Sequence, residues 1–186
     1  SIPWNSFSIS MARSTLALFV MILYQRSQKK KFVFNKPVFF TAMCNFIMAV
    51  TFVMATKMTT AANAIVLQFT EPVFLILIMW IAFKQKPKKD AIITCILVLC
   101  GIFCFFFESL STGGMAGNLL ALVSGITYCG VFLSKKFPDG DFESSMIISH
   151  LISIVVGFPF FMKETVFEPN VLGCVLILGI VQFGLS

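Results

Sequence analysis

Residues 62–83 read ANAIVLQFTEPVFLILIMWIAF, and apart from Glu71 the stretch carries no charge. A bilayer core about 30 Å thick is crossed by a helix of about 20 mostly apolar residues, so the run is long enough to span. A transmembrane β-strand is excluded because barrel strands alternate polar and apolar residues over about ten positions, whereas Ala64 to Phe83 is almost continuously apolar. A helix also satisfies its own backbone hydrogen-bonding groups where no water is present.

Working outward, the same criterion marks Phe7 to Tyr24, Pro37 to Thr56, Asp90 to Phe107, Gly117 to Lys135, Glu143 to Met162 and Pro169 to Ser186. The expected fold is therefore an all-α integral membrane bundle with seven spans in view. Composition agrees: 58% of residues are hydrophobic and 12% charged, about half the charged share of a soluble domain. Pro37 and Pro169 suit a first helical turn, where the missing N–H costs nothing. Pro87, Gly113-Gly114 and Pro138-Asp139-Gly140 mark breaks between spans.

The net charge of +6 does not indicate nucleic-acid binding, because the basic residues sit in short clusters between apolar runs. Scored by the enrichment of Lys and Arg in cytoplasmic loops, alternate connections separate cleanly. One set holds Arg26, Lys29, Lys30, Lys31, Lys36, Lys84, Lys86, Lys88, Lys89, Lys135 and Lys136; the other holds only Lys57 and Lys163. Loops 24–36, 84–90 and 134–142 are thus expected in the cytoplasm, with a plasma-membrane location and Ser1 to Ser6 outside. No signal peptide is visible. The chain starts at Ser1 without an initiator methionine and stops within an apolar run, so further helices are expected at both ends.

Several residues stand out as candidates. Glu71 lies about 14 Å into its span at 1.5 Å per residue, near the middle of the bilayer. The following Pro72 removes the hydrogen bond to the Gln68 carbonyl, freeing it for a solute, water or another helix. Gln68 and Glu71, three apart, are expected on one helix face. Two readings fit Glu71: a hydrogen-bonded acid beside a proline kink that fixes packing, or a group that meets substrate or a proton.

Arg13 either snorkels to the headgroups or faces the bundle to pair with Glu71 or an anionic solute. His150 fits a packing role or a proton relay. Asn45, Asn63 and Gln182 read as interhelical hydrogen-bonding groups, with Asn63 retained among the pathway candidates. Trp4, Trp80 and Tyr24 are placed for interfacial anchoring. Gly117, Ala121, Gly125 and Cys129 recur every four residues and form a small-residue strip for close helix packing. None of Cys44, Cys95, Cys100, Cys104, Cys129 and Cys174 falls in a CxxC pair, so neither a metal nor a disulfide is expected.

The segment from Ala55 to Phe74, ATKMTTAANAIVLQFTEPVF, resembles the middle of an EamA domain, in which a short corner leads into a Pro-Val-Phe signature. Arg13 in a preceding helix, the basic loop after the third span, and Gly101-Ile102-Phe103 in the closing helix resemble it too. Gly117-Asn118-Leu119-Leu120-Ala121-Leu122 looks like the opening of another such unit. The resemblance is to the EamA group of the drug/metabolite transporter superfamily. It implies ten helices in two inverted five-helix repeats, of which this chain covers the second to the eighth. Residues 1–110 would be the first repeat without its first helix, and 117–186 the start of the second. An acid that family members carry after the proline-containing helix has no counterpart before Asp90.

The expected function is secondary, gradient-driven transport of small metabolites such as amino acids or other amphipathic solutes, with one repeat rocking against the other. The alternative is a non-transporting membrane receptor or assembly subunit. No HExxH, GxSxG or Walker-type loop is present, so neither an enzyme nor an ATP-driven pump is expected, and no cofactor is implied. Expected partners are a small-molecule solute and the lipid bilayer; the sequence leaves oligomeric state open, a homodimer included.

Overall fold

The computed structural model describes residues 4–28, 31–109, 114–133, 136–137 and 139–164. The expected span Pro169 to Ser186, with Gln182 and Cys174, lies outside them. The helices are α1 (Ser6–Ser27), α2 (Lys36–Met58), α3 (Ala61–Gln68), α4 (Glu71–Ile81), α5 (Lys89–Ser109), α6 (Met115–Leu133) and α7 (Phe142–Phe161). No strand occurs among the described residues. Five stretches, Ser6–Ser27, Lys36–Met58, Ala61–Ile81, Met115–Leu133 and Phe142–Phe161, are long and apolar enough to cross a membrane. Helix α5, over the expected fourth span, has 21 residues.

Local chemistry sets the helix starts. The side chains of Asn5, Thr60 and Asp141 each accept a hydrogen bond from a first-turn backbone N–H, those of Phe7, Asn63 and Ser144 respectively, satisfying donors that a helix leaves open. Pro37 is the second residue of α2 and Pro87 lies in the non-helical link before α5, both as expected.

The chain divides into two compact units, Ser1–Phe46 with Leu133–Ser186, and Ile47–Phe132. In the first, α1 and α7 pack antiparallel: Phe7 stacks on Phe160 with ring centroids 4.8 Å apart, while Ser14 meets His150 further along. The contact faces are made of small residues. Ser6, Ser10, Ser14 and Ala17 are buried on α1, and Ser145, Ser149, Ser153 and Gly157 repeat every four residues on α7. A Cβ added to Gly157 would lie 2.5 Å from Met11 Cβ and 2.7 Å from the Phe7 carbonyl oxygen. The first half of α2 joins this unit through Val38, Ala42 and Ile148.

In the second unit, α6 runs along the end of α2 and the α3–α4 segment. Its strip Gly117, Ala121, Gly125, Cys129 faces inward. A Cβ on Gly117 would lie 2.7 Å from the Met58 carbonyl carbon, and one on Gly125 would lie 3.1 Å from the Gln68 carbonyl oxygen. Ala121 packs with Ala55, Ala64 and Leu67. Such strips let helix backbones approach closely where lipid offers no hydrophobic drive for association.

Small and hydroxylated residues are inside, and the large apolar ones are out: Phe19, Ile81, Leu97, Phe103 and Val155 are each at least 67% exposed. In water that would be a severe liability; against acyl chains it is the stable arrangement. Trp80 and Tyr24 are exposed near helix ends, as interfacial anchors should be. Trp4 is not such an anchor: it is buried, edge-on to Phe161 at 5.5 Å, because the ends of α1 and α7 close over it.

Helix α5 supplies a control for the close contacts, since nothing lies within 4 Å of a Cβ added to Gly101. Gly117→Ala and Gly157→Ala should each destabilise the protein by about 1–3 kcal/mol through overpacking. Gly101→Ala should be neutral or stabilising by up to about 1 kcal/mol. Thermal unfolding in detergent checks the ranking.

Candidate functional site

The expected third span is not one continuous helix. It stops at Gln68, turns through Phe69 and Thr70, and restarts at Glu71. Three features produce the break. Pro72 has no N–H to offer the Gln68 carbonyl. Thr70 donates both its hydroxyl, at 2.6 Å, and its N–H, at 3.2 Å, to the Leu67 carbonyl, tightening the last turn of α3. The Thr70 carbonyl then accepts from the Val73 and Phe74 N–H groups, opening α4. Gln68 therefore closes α3 and Glu71 opens α4, on either side of the turn. Of the three fates open to the Gln68 carbonyl, it meets another helix, at Gly125.

Glu71 is half-buried in the first turn of α4, where the positive end of the helix dipole favours a carboxylate. Its carbonyl accepts a hydrogen bond from Cys129 Sγ at 3.3 Å. The break is thus clamped from α6 at two successive small positions, Gly125 and Cys129. Asn63 is 1% exposed at the start of α3. Its N–H and Nδ2 donate to Thr60 Oγ1 and Thr59 Oγ1 at 3.1 and 3.3 Å, so it holds the α2–α3 corner.

A second polar locus lies in the other unit. Arg13 precedes Ser14, whose hydroxyl is 3.3 Å from His150 Nδ1. Nearby on α7, Ser149 Oγ accepts a hydrogen bond from Asn45 Nδ2 at 2.8 Å. Ser14, next to Arg13, is therefore brought to His150, while Gln68, Glu71, Pro72 and Asn63 belong to the other unit.

Several polar groups in the seam escape a reading by type alone. Glu164 Oε1 accepts from the Asn5 N–H and from Ser8 Oγ, both at 2.7 Å. At the opposite end, Ser144 Oγ accepts from the Val33 N–H at 3.0 Å, and Asn35 Nδ2 donates to the Asp139 carbonyl at 2.6 Å. The serine spacings 6, 10, 14 and 145, 149, 153 were the available signal. They match the glycine strip of α6 in period but not in residue type.

The EamA-like transporter family matches residues 3–107, more than half of the chain. A multi-pass helical chain with a broken, acid-bearing span inside the matched region is a membrane transporter of the drug/metabolite type. The chain belongs to the EamA-like transporter family. No curated protein and no solved structure matches it.

The Asn45–Ser149 contact can be weighed directly. A double-mutant cycle with Asn45→Ala and Ser149→Ala, read by thermal unfolding in detergent, should give a coupling of about 0.6 kcal/mol and no more than about 1.7 kcal/mol.

Proposed function

We propose that this protein is a secondary transporter of small metabolites, amino acids or other amphipathic solutes, driven by a solute, proton or ion gradient across the plasma membrane. The observation that carries the reading is the interruption of Ala61–Ile81 at Phe69–Thr70, with Glu71 opening the second half-helix. Discontinuous spans bearing polar groups near the bilayer midplane are where gradient-driven carriers bind solute and coupling ion. Glu71 is the binding or proton-accepting group, Pro72 and Gln68 shape the break, and Asn63 holds the corner leading into it. Arg13 and His150 form a second polar station on the pathway.

Two inverted repeats, 1–110 and 117–186, fit the same reading. An axis in the membrane plane relates equivalent helices in opposite directions, and α1 and α7, equivalent under that scheme, pack antiparallel along serines spaced by four. Loops 24–36, 84–90 and 134–142 then face the cytoplasm.

Full-length protein in liposomes should accumulate a solute from a broad amphipathic panel down an imposed gradient, and Glu71→Gln should reduce the initial rate at least tenfold with the protein still folded. Flux equal to that of empty vesicles would remove transport, and saturable binding without flux would make the protein a receptor. Single cysteines replacing Lys30 and Lys88 should react with an impermeant reagent only from the cytoplasmic face; labelling from opposite faces would destroy the topology.

A further inference from the structure

We infer that α1 and α7 travel as a single body during the transport cycle, so that the moving parts do not follow the boundary between the sequence repeats. The inference rests on the two-repeat reading above, which assigns α1 to the first repeat and α7 to the second and would otherwise let the repeats rock apart along this seam.

The seam is bonded from its outer end to mid-length. At one end, a single carboxylate oxygen of Glu164 holds both the Asn5 N–H and the Ser8 hydroxyl at 2.7 Å. Beside it, Phe7 stacks on Phe160 and Trp4 sits edge-on to Phe161. One turn further in, Gly157 leaves no room for a Cβ against Met11 and the Phe7 carbonyl. At mid-length, Ser14 meets His150, with Ser10, Ser149 and Ser153 fully covered around them. Beyond mid-length α7 is held instead by the link that follows α1, whose Val33 and Asn35 bond Ser144 and Asp139.

A helix pair that opens as a gate must expose what it covers. Separating these faces would take Ser8 and Ser14 from their partners on the other side and leave the Glu164 carboxylate without the Asn5 N–H and the Ser8 hydroxyl, in lipid or interface, where unsatisfied polar groups are costly. Packing at sub-side-chain distance resists partial opening too, because close-packed contacts have discrete rather than graded arrangements. The surfaces that slide or part must therefore lie elsewhere, and α7 is carried with α1 although the other helices of its repeat need not be.

The test bridges the seam at its outer end. Full-length protein with Phe7→Cys and Phe160→Cys, in a background whose native cysteines other than the buried Cys129 are serine, is treated in liposomes with a short bifunctional thiosulfonate. Bridging should be near complete, and the bridged protein should retain solute flux within twofold of the untreated pair. A tenfold or greater loss on bridging, reversed by reductant, would show that the helices part in the cycle and overturn the inference. Failure to bridge would overturn it also. Spin labels on the same two cysteines give a readout independent of flux: one narrow distance, unchanged by an imposed proton gradient or by solute, is expected, and two populations would refute the single body. If the untreated protein moves no solute while that distance stays single, the transport reading fails and the paired seam stands.

Discussion

Everything in this structure depends on how closely two helix backbones can approach in a solvent that does not push them together. Acyl chains are as apolar as leucine, so burying a large aliphatic side chain between helices gains little over leaving it in lipid. What remains is dispersion between closely apposed backbones, together with hydrogen bonds between polar side chains that have no water to compete for them. The chain meets that condition twice, by the glycine- and alanine-bearing strip of α6 and by the serine- and glycine-bearing strip of α7. Many of the phenylalanines, isoleucines and leucines are left to face outward.

The α6 strip does more than bring helices close. By accepting the Gln68 carbonyl against Gly125 and reaching the Glu71 carbonyl from Cys129, it stabilises a break that would otherwise expose backbone polar groups within the hydrocarbon. A proline could kink an intact helix; here Thr70 closes the first segment by bonding back to Leu67, and the second starts afresh with an acid in its first turn. The carboxylate is thereby held at a helix start rather than on the flank of a continuous rod. A packing role for Glu71 and the proposed solute or proton role do not conflict at such a position.

Five of the expected spans were legible because a run of apolar residues leaves few alternatives once strands are ruled out, and proline and capping residues lie where helices begin. The strip at Gly117, Ala121, Gly125 and Cys129 was legible because glycine at helical spacing in an apolar run has few other uses. The equivalent strip in α7 was hidden by its chemistry. Serine is read first as polar, yet in lipid it is small enough to pack and it satisfies its own hydroxyl, as Ser145 does on the Asp141 carbonyl. Trp4 was misread for a similar reason: a tryptophan near a span end is usually an interfacial anchor, and only the partner ring of Phe161 shows that it is enclosed. The turn at Phe69–Thr70 was not legible, because it depends on side-chain bonding at Thr70 that residue spacing does not encode.

The antiparallel pairing of α1 with α7 has a consequence for biosynthesis. Ser14 and His150 are separated by 136 residues in sequence, so α1 is translated long before its partner exists. Until then its serines lie in the bilayer unmatched, with only local carbonyls to bond, as Thr15 bonds Met11. The nascent chain must pass five intervening helices while that face waits, a period in which quality-control proteases or a membrane chaperone can reach it. A residue change that weakens this helix pair would therefore register first as lower yield of mature protein, before any defect in the finished carrier could be seen.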